Sequence, residues 1–371
     1  MITDRGLRSC SASLLPAGTI LMTSRATLGE AKISKVQVCT NQGFKSLIAN
    51  PGVSNEFLYY QIHRTKGEYA RFGSGSTFLE VGKKDTAAFP VLIPEKPLQD
   101  TIVQILDLID CQIEATEALI AKQERLRAGL MQDLFTRGVD ENGELRPPRE
   151  EAPHLYHETE LGWLPKGWSP TPLFQLIDPS RPISYGILMP GPHVPDGIPV
   201  IKVKDIRGGK ILELGLRRTS RLIDAEYARS RLRPGDILFT IRGTVGRLAT
   251  VPETLTGANI TQDTARLAMT GCDPSFARYF LESASATRFV AANTLGNAVQ
   301  GINLGELRKL LIPNFDPSEQ RELVNCILRH DALNDQLNSE LSSLQLLKNG
   351  LMQDLLTGTV SVEPLLEKEP A

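Results

Sequence analysis

The 371-residue sequence has no apolar run approaching the roughly 20 residues needed to span a bilayer, so no transmembrane helix is expected. Its opening stretch, Met1 to Cys10, is polar and charged, which argues against a secretory leader. Cys10, Cys39, Cys111, Cys272 and Cys326 lie far apart, with no CxxC pair. That excludes a disulfide framework and a cysteine zinc site, and points to a reducing, cytoplasmic setting. Catalytic signatures are scarce too. No amide- or acid-Pro-Pro-aromatic motif is present, and Pro147-Pro148 is flanked by arginines. Pro195-Asp196 is not followed at suitable distance by an acid-x-Lys, and Gly-x-Ser-x-Gly is absent. Gly82-Lys83 lacks the earlier glycine and the following Ser/Thr of a phosphate loop. His154 and His157 have no companion ligands, so a surface pair is expected and no metal. Together these absences disfavour a stand-alone transferase, nuclease or hydrolase.

What is present is an ordinary globular composition, 41% hydrophobic and 23% charged, long enough for two or three cores. The formal net charge of -2 conceals a polarity along the chain. Between Asp196 and Arg247 twelve basic residues face six acids, whereas from Asp316 onward four basic residues face ten acids. A local basic field is what phosphate neutralisation requires, and a balanced total does not forbid it.

The chain is a tandem repeat. Gly129-Leu-Met-Gln-Asp-Leu-Phe-Thr-Arg-Gly-Val139 returns as Gly350-Leu-Met-Gln-Asp-Leu-Leu-Thr-Gly-Thr-Val360, and Leu15-Pro-Ala-Gly-Thr-Ile-Leu-Met-Thr23 as Leu232-Arg-Pro-Gly-Asp-Ile-Leu-Phe-Thr240. Arg25-Ala-Thr-Leu-Gly29 matches Arg242-Gly-Thr-Val-Gly246, and Leu92-Ile-Pro94 matches Leu311-Ile-Pro313. All fall in the same order at offsets of 217 to 221, which marks a duplication.

Each unit reads as short Val/Ile/Phe runs broken by Gly, Pro and Asn, a small α/β domain, followed by a long helix. Leu98, Ile102, Ile105, Ile109, Leu119, Leu126 and Leu130 step by threes and fours, as do Leu323, Leu333, Leu337, Leu344, Leu347, Leu351 and Leu355. That spacing predicts a coiled-coil seam in a rod of about 36 residues and roughly 54 Å. Pro97 and Pro317 mark the helix starts. Gln112, Thr116, Gln123, His330 and Glu340 are expected as polar seam positions, His330 as a seam histidine rather than a catalytic one. Glu144 to Pro153 is expected to be a linker.

Glu160-Leu-Gly-Trp-Leu-Pro-Lys-Gly-Trp168, Leu232–Gly246, Leu311–Pro313 and the two Gly-Leu-Met-Gln-Asp-Leu segments, in this order and duplicated, resemble the landmarks of type I restriction–modification specificity subunits. The resemblance runs from about Leu14 to Val360. It implies an α+β architecture with two target-recognition domains separated by two long antiparallel coiled-coil helices. The corresponding spans are 1–95 and 160–315 for the domains, 96–138 and 316–358 for the helices, 139–159 for a linker and 359–371 for a tail. It further implies a non-catalytic subunit that binds a split target in double-stranded DNA, with the helices measuring the unread spacer. Methyltransferase and restriction subunits are the implied partners. S-adenosylmethionine, ATP and magnesium would be carried by those partners, and this chain would bind no cofactor. There is one departure. A long stretch separates Trp168 from Leu232, but only 14 residues precede Leu15, so the counterpart of Trp163 to Arg231 is missing and the first recognition domain reads as truncated. A coiled-coil docking scaffold that no longer reads DNA is therefore the second reading.

Candidate DNA contacts follow from charge and turn chemistry. Lys202, Lys204, Arg207 and Lys210 flank an expected strand and turn over Pro199 to Gly209, with 202 and 204 on one strand face. Arg217 and Arg218 follow. Arg242-Gly-Thr-Val-Gly-Arg247 reads as a glycine turn presenting Arg242, Thr244 and Arg247, with Arg25 and Thr27 in the matching places of the first unit. Asn297 and Gln300, with Asn293 nearby, are candidates for reading adenine edges or for satisfying a loop. The comparable first-unit loop is Gly73 to Thr77.

Overall fold

The computed structural model describes residues 2–74, 79–296 and 300–366. The chain divides into two compact units: Met1–Ala121 with Asp335–Ala371, and Lys122–Asn334. Two long helices, Lys96–Arg137 of 42 residues and Pro317–Leu356 of 40, each contribute one part to each unit.

In the first unit Ile20–Thr23 is the centre of a three-stranded antiparallel sheet, between Ala31–Ile33 and Phe44–Leu47. Ile20 and Met22 point into a core with Leu28, Ala31, Ile62, Tyr69 and Val81, while Leu21 and Thr23 are only half-buried. One face of this sheet is covered. The covering helix, Asn55–Ala70, starts at Ser54, whose hydroxyl accepts from the Phe57 amide at 3.2 Å. Its Phe57 and Tyr60 pack with Ile102 and Leu106 near the start of one long helix and with Met352, Leu355 and Leu356 near the end of the other, an antiparallel pairing.

In the second unit the equivalent strand Ile237–Thr240 is buried on both faces. Ile237 and Phe239 enter a core with Phe276, Phe280, Leu134, Phe135, Leu323 and Ile327, while Leu238 enters another with Ile201, Ile206, Ala249 and Ile260. That second layer comes from a three-stranded sheet, Arg217–Thr219, Ile198–Ile201 and Asn259–Ile260, which has no counterpart among the described residues of the first unit. A strand covered on both sides reads as the continuous run Ile-Leu-Phe. The four-stranded sheet runs Leu248–Thr250, Ile237–Thr240, Thr264–Leu267, Ser184–Tyr185. Leu311–Asn314 pairs with Ser169–Pro172, and Trp168 stacks on Phe315 with centroids 3.7 Å apart. The Glu144–Pro153 stretch is anchored by Arg146, which forms an ion pair with Glu319 and a second bond to it at 3.1 Å.

The long helices are longer than the seam of about 36 residues and lie within the expected spans 96–138 and 316–358, and their buried stripe differs from the leucine pattern. Leu119, Leu126, Leu333 and Leu347 are exposed, as are Gln112 and Glu340. Thr116 is buried, its hydroxyl donating to the Gln112 carbonyl at 2.9 Å, while Ile113, Ile120, Gln123, Arg127 and Leu130 are half-buried. His330, Asp331, Asn334, Leu337, Leu341, Leu344 and Lys348 are half-buried on the other helix. A helix drifts by about 20° per heptad, so leucine spacing alone misplaces the stripe. Charged side chains hold positions there because each has a partner.

Those partners recur in both units. In the first, the Tyr60 hydroxyl donates to Asp107 at 2.6 Å and Asp110 at 2.8 Å, and Lys348 pairs with Asp110 at 2.5 Å. In the second, the Tyr279 hydroxyl donates to Asp331 at 3.0 Å, and Arg127 pairs with Asp331 at 2.6 Å and Glu282 at 3.2 Å. Lys348 and Arg127 also lie over the Tyr60 and Tyr279 rings. A second recurrence closes each helix start. The buried Gln99 side chain accepts from the Ser54 amide and donates to the Gly52 and Pro94 carbonyls. Gln320, fully buried, accepts from the Asp273 amide and donates to Phe315 and Asn314.

Candidate nucleic-acid interface

The glycine turn after Ile237–Thr240 is built by one threonine. The Thr240 hydroxyl donates to the Thr244 carbonyl at 2.5 Å and accepts from the Arg247 amide at 2.8 Å. Gly243 (φ 78°) and Gly246 (φ 89°) take the left-handed conformations that let the chain reverse. Arg242 and Thr244 are consequently held at the surface. Among the described residues Arg242 makes no side-chain hydrogen bond or ion pair. The Gly243 amide donates to the Gln300 carbonyl at 2.8 Å, and Arg242 bridges to Gly301, so exposed Gln300 is brought beside the turn. Asn297 lies outside the described residues; Asn293 donates to the Phe289 carbonyl at 2.8 Å, closing a helix end.

Arg247 is turned inward, contrary to the expected presentation. Its guanidinium donates to the carbonyls of Val203 and Ile206, both at 3.2 Å. The fixed fork of the guanidinium serves both acceptors at once. The bonds tie the turn to the Lys202–Lys210 segment, with a cleft of about 300 Å³ between them. Here a second expectation fails. Lys202 and Lys204 do not share a strand face, because the strand ends at Ile201 and Val203–Asp205 is a single 3₁₀ turn. Asp205 accepts from the Lys202 amide at 2.9 Å and so starts that turn. Lys204 is exposed, and Arg207 and Lys210 are exposed at the tip of a two-stranded hairpin through Gly208-Gly209. Arg217 and Arg218 spend their guanidinium groups on the Gly191 carbonyl and, at 3.0 Å, the Gly197 carbonyl. They hold the Pro190–Gly197 loop.

The matching turn in the first unit has the same bonding: the Thr23 hydroxyl donates to the Thr27 carbonyl and accepts from the Glu30 amide. Its charges are paired. Arg25 pairs with Glu80 at 2.8 Å, Lys45 approaches the same carboxylate at 3.7 Å, and Glu30 pairs with Lys66. Thr27 is exposed, and Ala26 takes φ 60° where the second unit has Gly243.

The sequence model of the type I restriction modification DNA specificity domain matches residues 2–125. The EcoBI specificity subunit of Escherichia coli is 29% identical over 273 residues, covering 71% of this chain and 56% of that one. The MjaIX specificity subunit of Methanocaldococcus jannaschii is 31% identical over 169 residues, covering 45% of this chain and 37% of that one. The chain thus spans about half or less of these two relatives. A solved type I restriction–modification S subunit from M. genitalium superposes with a TM-score of 0.53 at 16% identity, covering 93% of this chain and 84% of that one. A chain from a structural study of type I complex assembly and conformational transition gives 0.56 at 18%, covering 95% and 85%. The two structures share the fold, and the domain model and the sequence relatives each match part of the chain; over those parts the chain is similar to type I restriction–modification specificity subunits.

Proposed function

We propose that this chain supplies DNA target recognition to a type I restriction–modification complex and performs no chemistry itself. Residues 160–315 read part of a split duplex target through the Arg242–Thr244 turn, Gln300 and the Lys204, Arg207 and Lys210 hairpin region. The observation carrying this is the contrast at one duplicated turn: the first-unit arginine is cancelled by Glu80, whereas Arg242 keeps its charge at the surface. An uncancelled arginine on a rigid turn suits either a guanine edge or a phosphate. The long helices act as the spacer between reading elements. Methyltransferase subunits dock on them, supported by the exposed Leu119, Leu126, Leu333 and Leu347, and restriction subunits join that assembly. S-adenosylmethionine, ATP and magnesium belong to those subunits. No helix among the described residues is long and apolar enough to cross a membrane, which is compatible with a cytoplasmic complex.

Neutralised charges in the first unit favour a second reading for that half alone, a docking scaffold without base readout. The test is single-molecule methylome sequencing of cells co-expressing this chain with its methyltransferase subunits in a host lacking them. A split adenine-methylated motif is expected. Mirror-image halves would mean two second units reading as a pair, and different halves that the first unit also reads. Co-purifying subunits without any new methylated motif would overturn DNA recognition and leave the scaffold.

A further inference from the structure

A cavity of about 510 Å³ in the second unit is lined by Arg181, Arg229, Arg231, Arg233, Arg266 and Ser184. Its charges do not cancel. Arg181 is bound through both nitrogens to Asp236, at 2.8 and 2.6 Å, and Arg231 reaches Asp224 at 2.8 Å. Arg229 and Arg233 have no carboxylate partner among the described residues; Arg229 lies over the Tyr185 ring, 5.9 Å from its centroid. Arg266 is the unusual member. It sits in the strand Thr264–Leu267, is 2% exposed, and has no ion pair. Its terminal nitrogens donate to the carbonyls of Arg229 at 2.6 Å and Pro182 at 2.9 Å, but its buried Nε has no acceptor. The Ser184 hydroxyl is likewise buried and unpartnered.

A buried cation without an anion is costly, and so is a buried donor without an acceptor. Burial, and then repulsion from Arg181, push the Arg266 guanidinium below the ordinary arginine value. An anion in the cavity would offset the charge penalty by through-space attraction. Several fixed guanidinium forks and a hydroxyl suit an oxyanion with several acceptor oxygens better than a planar carboxylate. The duplication shows that the feature is not needed by the scaffold: Leu238 pairs with Arg266, whereas its counterpart Leu21 pairs with Ser46.

We propose that this arginine-lined cavity is a phosphate site, taking a phosphate group from the backbone of duplex DNA or from a free phosphate-bearing ligand. The first source rests on the DNA-binding reading above; the second does not.

Two measurements on the full chain separate these cases: calorimetric titration with inorganic phosphate at fixed ionic strength, and the salt dependence of affinity for a randomised duplex pool. In Arg229→Gln/Arg233→Gln, phosphate affinity should fall at least tenfold, and in Ser184→Ala several-fold, while the charge-matched Arg5→Gln/Arg8→Gln keeps the wild-type isotherm. If DNA is the source, the double variant should also lower the slope of log K against log salt by about one to two. Lost phosphate binding with an unchanged DNA slope supports the site with a free ligand as its source. Phosphate binding by a wild-type chain that ignores DNA also supports the site, and sinks the DNA reading instead. Wild-type and double variant binding phosphate equally weakly, with equal DNA slopes, would overturn the proposal.

Discussion

The two units share their fastenings and differ in their surfaces. Gln99 and Gln320 close the helix starts in the same way, and Tyr60–Asp110–Lys348 has the chemistry of Tyr279–Asp331–Arg127. Thr23 and Thr240 fold the same turn. Yet the first unit has a cavity of about 540 Å³ lined by Met22, Leu47, Leu58, Ile62 and Tyr69 on the helix-covered face of its sheet, whereas the arginine-lined cavity of the second unit lies on the opposite face of the equivalent sheet. At the surface, exposed Arg25 is paired with Glu80, whereas exposed Arg242 in the matching place has no partner among the described residues. Buried hydrogen bonds tolerate little change because an orphaned partner is expensive, whereas surface charges can change freely. The duplication therefore separates what holds the protein together from what it can bind.

The largest test of shared fastening is the glutamine. Gln320→Ala leaves a buried amide and carbonyl unpaired and should cost about 3 kcal/mol in chemical denaturation. Gln99→Ala should cost a similar amount, and a loss below about 1 kcal/mol in either would break the equivalence. Next is the helix pair. Arg127→Ala takes the cation from Asp331, leaving it the Tyr279 hydroxyl, and leaves Glu282 to Arg278; it should cost about 2 kcal/mol, against about 1 kcal/mol for Lys348→Ala, which leaves Asp110 the Tyr60 hydroxyl. Burial alone would raise the Asp331 carboxyl, but the hydrogen bond and charge of Arg127, with the Tyr279 hydroxyl, hold it below the ordinary aspartate value. Its contribution is thus present above about pH 4 and is lost as pH falls through the depressed value. Stability measured against pH should show an acid limb that is shallower in Arg127→Ala; an unchanged limb would remove Asp331 from the account. A smaller gain is expected from Ala26→Gly, about 1 kcal/mol in melting experiments, because alanine is strained at φ 60° and Gly243 already fills the matching place. Smallest in stability is Arg242→Ala, within about 0.5 kcal/mol of wild type, although its DNA affinity should drop about tenfold while Arg25→Ala leaves affinity unchanged.

The duplication, the α+β class and both long helices were legible because repeated words and three–four spacing survive in the sequence. The helix seam was legible only at its ends. Ile102, Leu323 and Leu355 are buried apolar residues of the expected seam, whereas buried Leu106 was not in it, and the middle is held by Arg127, Asp331 and Lys348, which hydrophobic spacing passes over. The turn at Arg242 followed from its two glycines. The inward course of Arg247 did not, since its acceptors are main-chain carbonyls some forty residues away. Arg266 left one faint trace, a charge inside the otherwise apolar run Ala265-Arg-Leu-Ala268.

The paired fastenings also constrain how such a gene can change length. Asp110 and Arg127 are 17 positions apart on one helix, as are Asp331 and Lys348 on the other. An insertion within one of these intervals alone would put one aspartate out of reach of its cation. Matched insertions of a whole heptad in both would lengthen each helix by about 10 Å and preserve both contacts. Viable length variants are thus expected to arise as compensated pairs, so an isolated gain or loss between these residues should be rare among functional alleles.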